Sequence, residues 1–166
     1  PCLCLSQSER QKGMVIQDFG ETFKVPDNDI KIDSSVTFKV IFDISSSSKE
    51  RDVLNKQIET AARFLNMHTA EGMEPEQLKV AMTIHGGAWQ DVLTDEAYKE
   101  KFGTENPNTP LLNALAKANV DIILCGQTAG ARGMSPEDVN PNILKALSAM
   151  TALLQYQNMG YKFIKF

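Results

Sequence analysis

The segment Val120-Asp121-Ile122-Ile123-Leu124-Cys125 constrains this chain most. Its nearly continuous apolar character suits a strand buried on both faces, the mark of a central strand in a parallel sheet. It closes on Cys125 and is followed at once by Gly126. Parallel strands need crossover connections, and the flanking sequence supplies them. In VTFKVIFDI (36–44), Val36, Phe38, Val40, Phe42 and Ile44 share one face by period-2 spacing. In LKVAMTIH (78–85), Leu78, Val80, Met82 and Ile84 do the same, and Gly86-Gly87 breaks the strand.

Helices are expected between these strands. Leu54, Ile58, Ala61, Leu65 and Thr69 form a core-facing stripe over 51–70, which Glu71-Gly72 ends. Thr94-Asp95-Glu96 opens a helix reaching Phe102-Gly103, with a capping hydroxyl and acids in the first turn. Thr109-Pro110 opens another that ends near Asn119. Ser135-Pro136 and Asn140-Pro141 repeat the cap-then-proline pattern. The second predicts a long helix over 142–158, with Ile143, Leu147, Met150 and Leu154 inward. Gly160 stops it, and YKFIKF (161–166) reads as a last strand. The methionines Met67, Met73, Met82, Met150 and Met159 are read as fillers of core gaps.

The 166 residues fit one α/β domain over 36–166, preceded by an extension over 1–35. Within the extension, Met14-Val15-Ile16 and Thr22-Phe23-Lys24-Val25 suggest a short hairpin. The start, PCLCLSQ, reads either as the remnant of a secretory leader or as an ordinary terminus, and the reading leans to export. Lys plus Arg is 17 and Asp plus Glu is 21, so the net charge is 17 − 21 = −4, against the basic surplus nucleic-acid binding needs. No apolar run approaches the about 18 residues of a membrane span. With three cysteines, two histidines and no CxxC or HExxH, no metal site is expected.

Parallel sheets bind ligands at the carboxyl ends of their strands. Three segments are expected at that rim: 45–48, His85-Gly86-Gly87 and Cys125-Gly126-Gln127. A thiol at Cys125 is expected half exposed at a pocket, with backbone N–H groups of the glycine-rich loop CGQTAGARG and the cation of Arg132 favouring the thiolate. The alternative is that Cys125 is a small buried hydrophobe. Six residues separate Cys125 from Arg132, one more than a phosphatase cradle has. His85 would orient a substrate or raise the potential near Cys125, or else hydrogen-bond at a strand end. His68 falls near the apolar stripe and reads as structural. The serines 45–48 faintly resemble a flavodoxin phosphate loop without its glycine and read better as a capped, solvated loop.

The segment order resembles the DsrE/DsrF-like (YchN-like) family over about 36–166. The resemblance rests on FKVIFDI, LKVAMTIHGGAW, Leu124-Cys125-Gly126-Gln127, the Gly-Met-Ser-Pro-Glu-Asp-Val segment at 133–139, and Gln157 to Tyr161. It implies a three-layer α/β/α fold with a flavodoxin-like, mostly parallel sheet, and homo-oligomers, trimers or hexamers. It further implies that Cys125 accepts sulfane sulfur as a persulfide, with Gly126 and Gln127 as its loop, no cofactor, and protein donors or acceptors as partners. Three functions compete: a sulfur carrier or sulfurtransferase, a rim module binding a small anion or nucleotide with Cys125 inert, and a structural oligomer.

Overall fold

The computed structural model describes residues 10–165. The leader expected over 1–7, with Cys2 and Cys4, lies outside them, as does Phe166. Two short strands come first, β1 (Arg10–Gln11) and β2 (Thr22–Phe23). The main sheet holds β3 (Phe38–Ile44), β4 (Leu78–Ile84), β5 (Asp121–Cys125), β6 (Leu144–Ala146) and β7 (Lys162–Ile164). Its order is β6-β5-β4-β3-β7, and every pairing is parallel. All five strands therefore end at one rim, and β5 has a neighbour on each side, as its apolar run requires.

The helices are α1 (Lys56–Ala70), α2 (Asp95–Phe102), α3 (Thr109–Lys117), α4 (Gly126–Ala131) and α5 (Ala149–Asn158). Val40, Phe42 and Ile44 of β3, with Val80, Met82 and Ile84 of β4, pack with Ile58, Ala61 and Leu65 of α1 and with Leu111, Leu112 and Leu115 of α3. On the opposite face, Ile41, Ala81 and Ile123 pack with Ala152 of α5. The result is the expected three-layer α/β/α sandwich. Full burial of one such aliphatic side chain contributes about 1.5–3 kcal/mol.

The helix expected from residue 51 begins five residues later, because the Asn55 side chain caps it by accepting the Gln57 N–H at 2.9 Å. Leu54 precedes it as a partly buried neighbour of the core. The long helix expected over 142–158 is two elements. Residues 144–146 form β6, paired with Ile123, Leu124 and Cys125, and α5 starts after Ser148, whose side chain accepts the Thr151 N–H at 3.0 Å. The expected inner face is correspondingly wrong: Leu147, Met150 and Leu154 are 71%, 71% and 63% exposed, and Ala149 and Ala152 are buried instead. Among the methionines, Met73 and Met82 are core, whereas Met67, Met150 and Met159 are exposed.

The extension pairs two short antiparallel strands, but its first strand is not the expected one. Thr22 and Phe23 pair with Gln11 and Arg10, and Met14, Val15 and Ile16 lie in bends. Asn66, buried in α1, organises this segment. Its Oδ1 accepts the Val15 and Ile16 N–H groups at 3.2 and 2.9 Å, and its Nδ2 donates to the Ile16, Phe19 and Gly20 carbonyls at 2.9 to 3.1 Å.

Candidate functional site

Cys125 ends β5 and is the N-cap of α4, so the expected glycine-rich loop is a short helix. α5 begins over the same place, at Ala149. Burial pushes the Cys125 thiol up, but the Thr128 hydroxyl and the backbone N–H groups of Thr128, Ala149 and Gln127 more than offset it, leaving the thiol below its ordinary value. Two helix starts thus converge on one sulfur, where oriented N–H groups favour negative charge.

Thr128 also couples the sulfur to the neighbouring strand. Its Oγ1 accepts the Gly86 N–H at 3.3 Å, which leaves its proton for the sulfur. Gly86 sits at φ +55, and a Cβ there would meet the Ser45 carbonyl at 3.0 Å. Gly126 serves packing: a Cβ on it would lie 2.6 Å from the Ala146 carbonyl oxygen. Gln127 holds the same turn through Nε2, which donates to the Leu147 carbonyl at 3.3 Å.

Cys125 is only 6% exposed, not half exposed. The turn from β6 into α5 lies beside it, since Ala146 is its strand partner and the Ala149 N–H is near enough to lower its thiol. Five clefts of about 460 to 640 Å³ line α1, α3, the 10–33 segment or the β7 edge, and none of the five borders Cys125.

Arg132 stands at the far end of α4, where its guanidinium lies 5.5 Å from the Trp89 ring centroid. The groups acting on the thiol are those of α4 and α5 rather than this cation. His85 bonds to Asp43, Nε2 to Oδ1, at 2.8 Å. The Asp43 carboxylate also accepts Thr83 Oγ1 at 3.1 Å and Lys165 Nζ at 2.8 Å. Burial would push its carboxyl up, but bonds from Lys165, His85 and Thr83 hold it below the usual range. His68 is structural, with Nδ1 2.7 Å from the Phe64 carbonyl and its ring against Phe38 and Phe64.

The serine loop is internally committed. Ser47 Oγ donates to Asp91 at 2.5 Å, and Ser48 Oγ to the Leu54 carbonyl at 2.9 Å. Asp91 is buried, also bonded by Asn55 at 2.7 Å and Asn108 at 3.3 Å, and burial pushes its carboxyl up to about 6. A carboxyl beneath the serines does not favour an incoming phosphate.

Thr128, Ala149, Asp43 and Lys165 escape the sequence reading. Thr128 had a signal, because a helix starting after Cys125 places it at N3, where an N-cap is met. Asp43 had one too, as the acid in an otherwise apolar stretch of β3. Ala149 and Lys165 had none, since folding alone brings them here.

The model of the DsrE/DsrF-like family matches residues 39–166. The chain belongs to this family. Two solved structures share its fold. The protein of unknown function MTH1491 from Methanobacterium thermoautotrophicum is 15% identical, covers 78% of this chain and 99% of its own, and superposes with TM-score 0.56. The ychN protein from E. coli is 16% identical, covers 78% of this chain and all 100% of its own, with TM-score 0.56. No curated protein matches the chain.

Proposed function

We propose that this DsrE/DsrF-like chain is a sulfur carrier that accepts sulfane sulfur as a persulfide on Cys125. The observation that carries the reading is the place of Cys125, N-cap of α4 beside the start of α5, where the Thr128 hydroxyl and the N–H groups of Thr128, Ala149 and Gln127 hold its thiol below the ordinary value. Those donors stabilise the Cys125 thiolate before transfer and, once the product Cys125–S–SH gives its proton to solvent, the anionic Cys125–S–S⁻. The thiolate attacks the outer sulfur of a donor R–S–SH. A new S–S bond forms, the donor S–S bond breaks, and R–S⁻ leaves with the electron pair. The tight cover over Cys125 favours donors that reach the sulfur end-on, such as small persulfides or polysulfides.

The rival rim module loses support, because Ser47 donates to the Asp91 carboxyl and Ser48 to the Leu54 carbonyl. Assembly with further copies complements the carrier reading. Leu144 of β6, Leu147 in the turn, and Met150, Leu154 and Met159 along α5 are exposed large apolar side chains. Intact-mass spectrometry after polysulfide treatment is expected to show added sulfur on the parent protein and none on Cys125→Ser. Equal uptake by both would end the proposal.

A further inference from the structure

Asp43, Thr83 and Cys125 lie on the sheet face that α5 covers, at alternate positions from Ile41, Ala81 and Ile123. His85 continues that face one step past the pair Ile84 and Leu124, and its N–H donates to the Ile44 carbonyl at 3.0 Å, extending the ladder. His85 therefore stands beside Cys125 on adjoining strands, which run about 4.8 Å apart. Cys125 on β5, His85 just past β4 and Asp43 on β3 thus share one sheet face, and the imidazole and carboxylate are bonded. The Asp43 side chain is 7% exposed and takes His85 Nε2 at 2.8 Å. A carboxylate there fixes the proton on Nε2, and Nδ1 bonds to no other group among the described residues.

The geometry points to His85 as the proton carrier of sulfur transfer at Cys125, and to Asp43 as the residue that positions its ring. This rests on Cys125 being the sulfur acceptor. Nδ1 takes the thiol proton, giving Cys125–S⁻ and an imidazolium. The thiolate then bonds the outer sulfur of R–S–SH, the donor S–S bond breaks, and the imidazolium returns the proton to the departing R–S⁻. The sum is Cys125–SH + R–S–SH → Cys125–S–SH + R–SH, with no external oxidant or reductant.

Among the described residues, the charged and titratable groups facing His85 are Asp43 from β3, with Lys165 after β7 bonded to it, and Cys125 from β5 by strand register. α5 brings no charged side chain, and its Tyr156 hydroxyl donates to Asp121 at 2.9 Å, at the other end of β5. Lys165 shares the Asp43 carboxylate through Oδ2 and leaves Oδ1 to the ring.

The test is to follow Cys125 in the full chain with two disulfides that differ in leaving group. Dipyridyl disulfide releases a thiolate that needs no proton; hydroxyethyl disulfide releases a basic one that does. His85→Gln is expected to slow the alkyl reaction about a hundredfold and change the aromatic one by less than about twofold. Asp43→Asn should slow the alkyl reaction about tenfold, and Asp43→Glu should restore part of it. In the parent protein, the ratio of alkyl to aromatic rate should fall as pH rises. Equal slowing of both disulfides by His85→Gln, slowing of neither, or a pH-independent ratio in the parent would overturn the inference. Prolonged polysulfide treatment separates it from the carrier reading: His85→Gln should still load Cys125, whereas a parent protein that takes up no sulfur defeats the carrier reading itself.

Discussion

At Cys125 the competition is between burial, which disfavours a thiolate, and hydrogen-bond donors, which favour it. The donors win because Thr128 is itself pre-set by the Gly86 N–H. Thr128→Val removes the hydroxyl and keeps the shape. Alkylation of Cys125 by iodoacetamide at neutral pH should then slow about tenfold, its midpoint moving to higher pH, because one bond to a charged group is lost. Thr128→Ser should restore the rate, and an unchanged pH profile would show that the hydroxyl does not act on the sulfur. Gly126→Ala sets two effects against each other. Helix propensity favours alanine by about 1 kcal/mol. The added Cβ, 2.6 Å from the Ala146 carbonyl oxygen, opposes it. The contact should win, giving a net loss of about 1–3 kcal/mol in urea unfolding. A more stable variant would mean that the β6–α5 turn yields freely.

Elements follow their local signals where cap and periodicity agree, as at Thr94 before α2 and along α1. They depart where one apolar period fits two structures. Ile143, Leu147, Met150 and Leu154 keep helical spacing, yet β5 needs a partner on its far edge, and residues 144–146 provide it before Ser148 caps a shorter helix. Asn66 shows the converse, a polar residue in the α1 core stripe because it replaces water for residues 15–20. Asn66→Ala leaves those backbone groups unpaired and should cost roughly 1–3 kcal/mol. Limited proteolysis of the variant should cut within 10–25 well before the parallel sheet, and a parent-like cleavage pattern would show that the strand pair holds the segment unaided.

Across the molecule, buried carboxyl groups pull the pH dependence in opposite directions. Asp91 is raised from an ordinary 3.8 to about 6, so its contribution to stability is full below about 3.8 and lost as pH rises through about 6. That gap corresponds to at most about 3 kcal/mol. Asp43 and Glu59 are lowered, so theirs is present above the ordinary carboxylate range and lost as pH falls. Asp91→Asn should therefore gain on the parent in urea midpoint between pH 4 and pH 7, and parallel curves would count against a buried, protonated carboxyl. The exposed side chains of α5 set a second expectation. The parent protein should run larger than one chain by light scattering, and Met150→Asp with Leu154→Asp should return it to a monomer. A monomeric parent at micromolar concentration would leave that face with another purpose.

The sequence by itself determined the alternation of strands and helices, the central place of residues 120–125, and the arrival of Cys125 and His85 at one sheet edge. These follow from short-range periodicity and from the handedness of crossovers, which one chain carries in full. It also held the resemblance to the DsrE/DsrF-like family. Only the tertiary structure decided that the Ala149 N–H helps lower the Cys125 thiol, that Arg132 turns to Trp89, that Asp43 holds His85 while Lys165 holds Asp43, and that the thiol is covered rather than open. Each of those joins residues from different elements. Which of them meet depends on how strand ends and helix starts pack, and packing is settled by the whole fold at once rather than by any local run of residues.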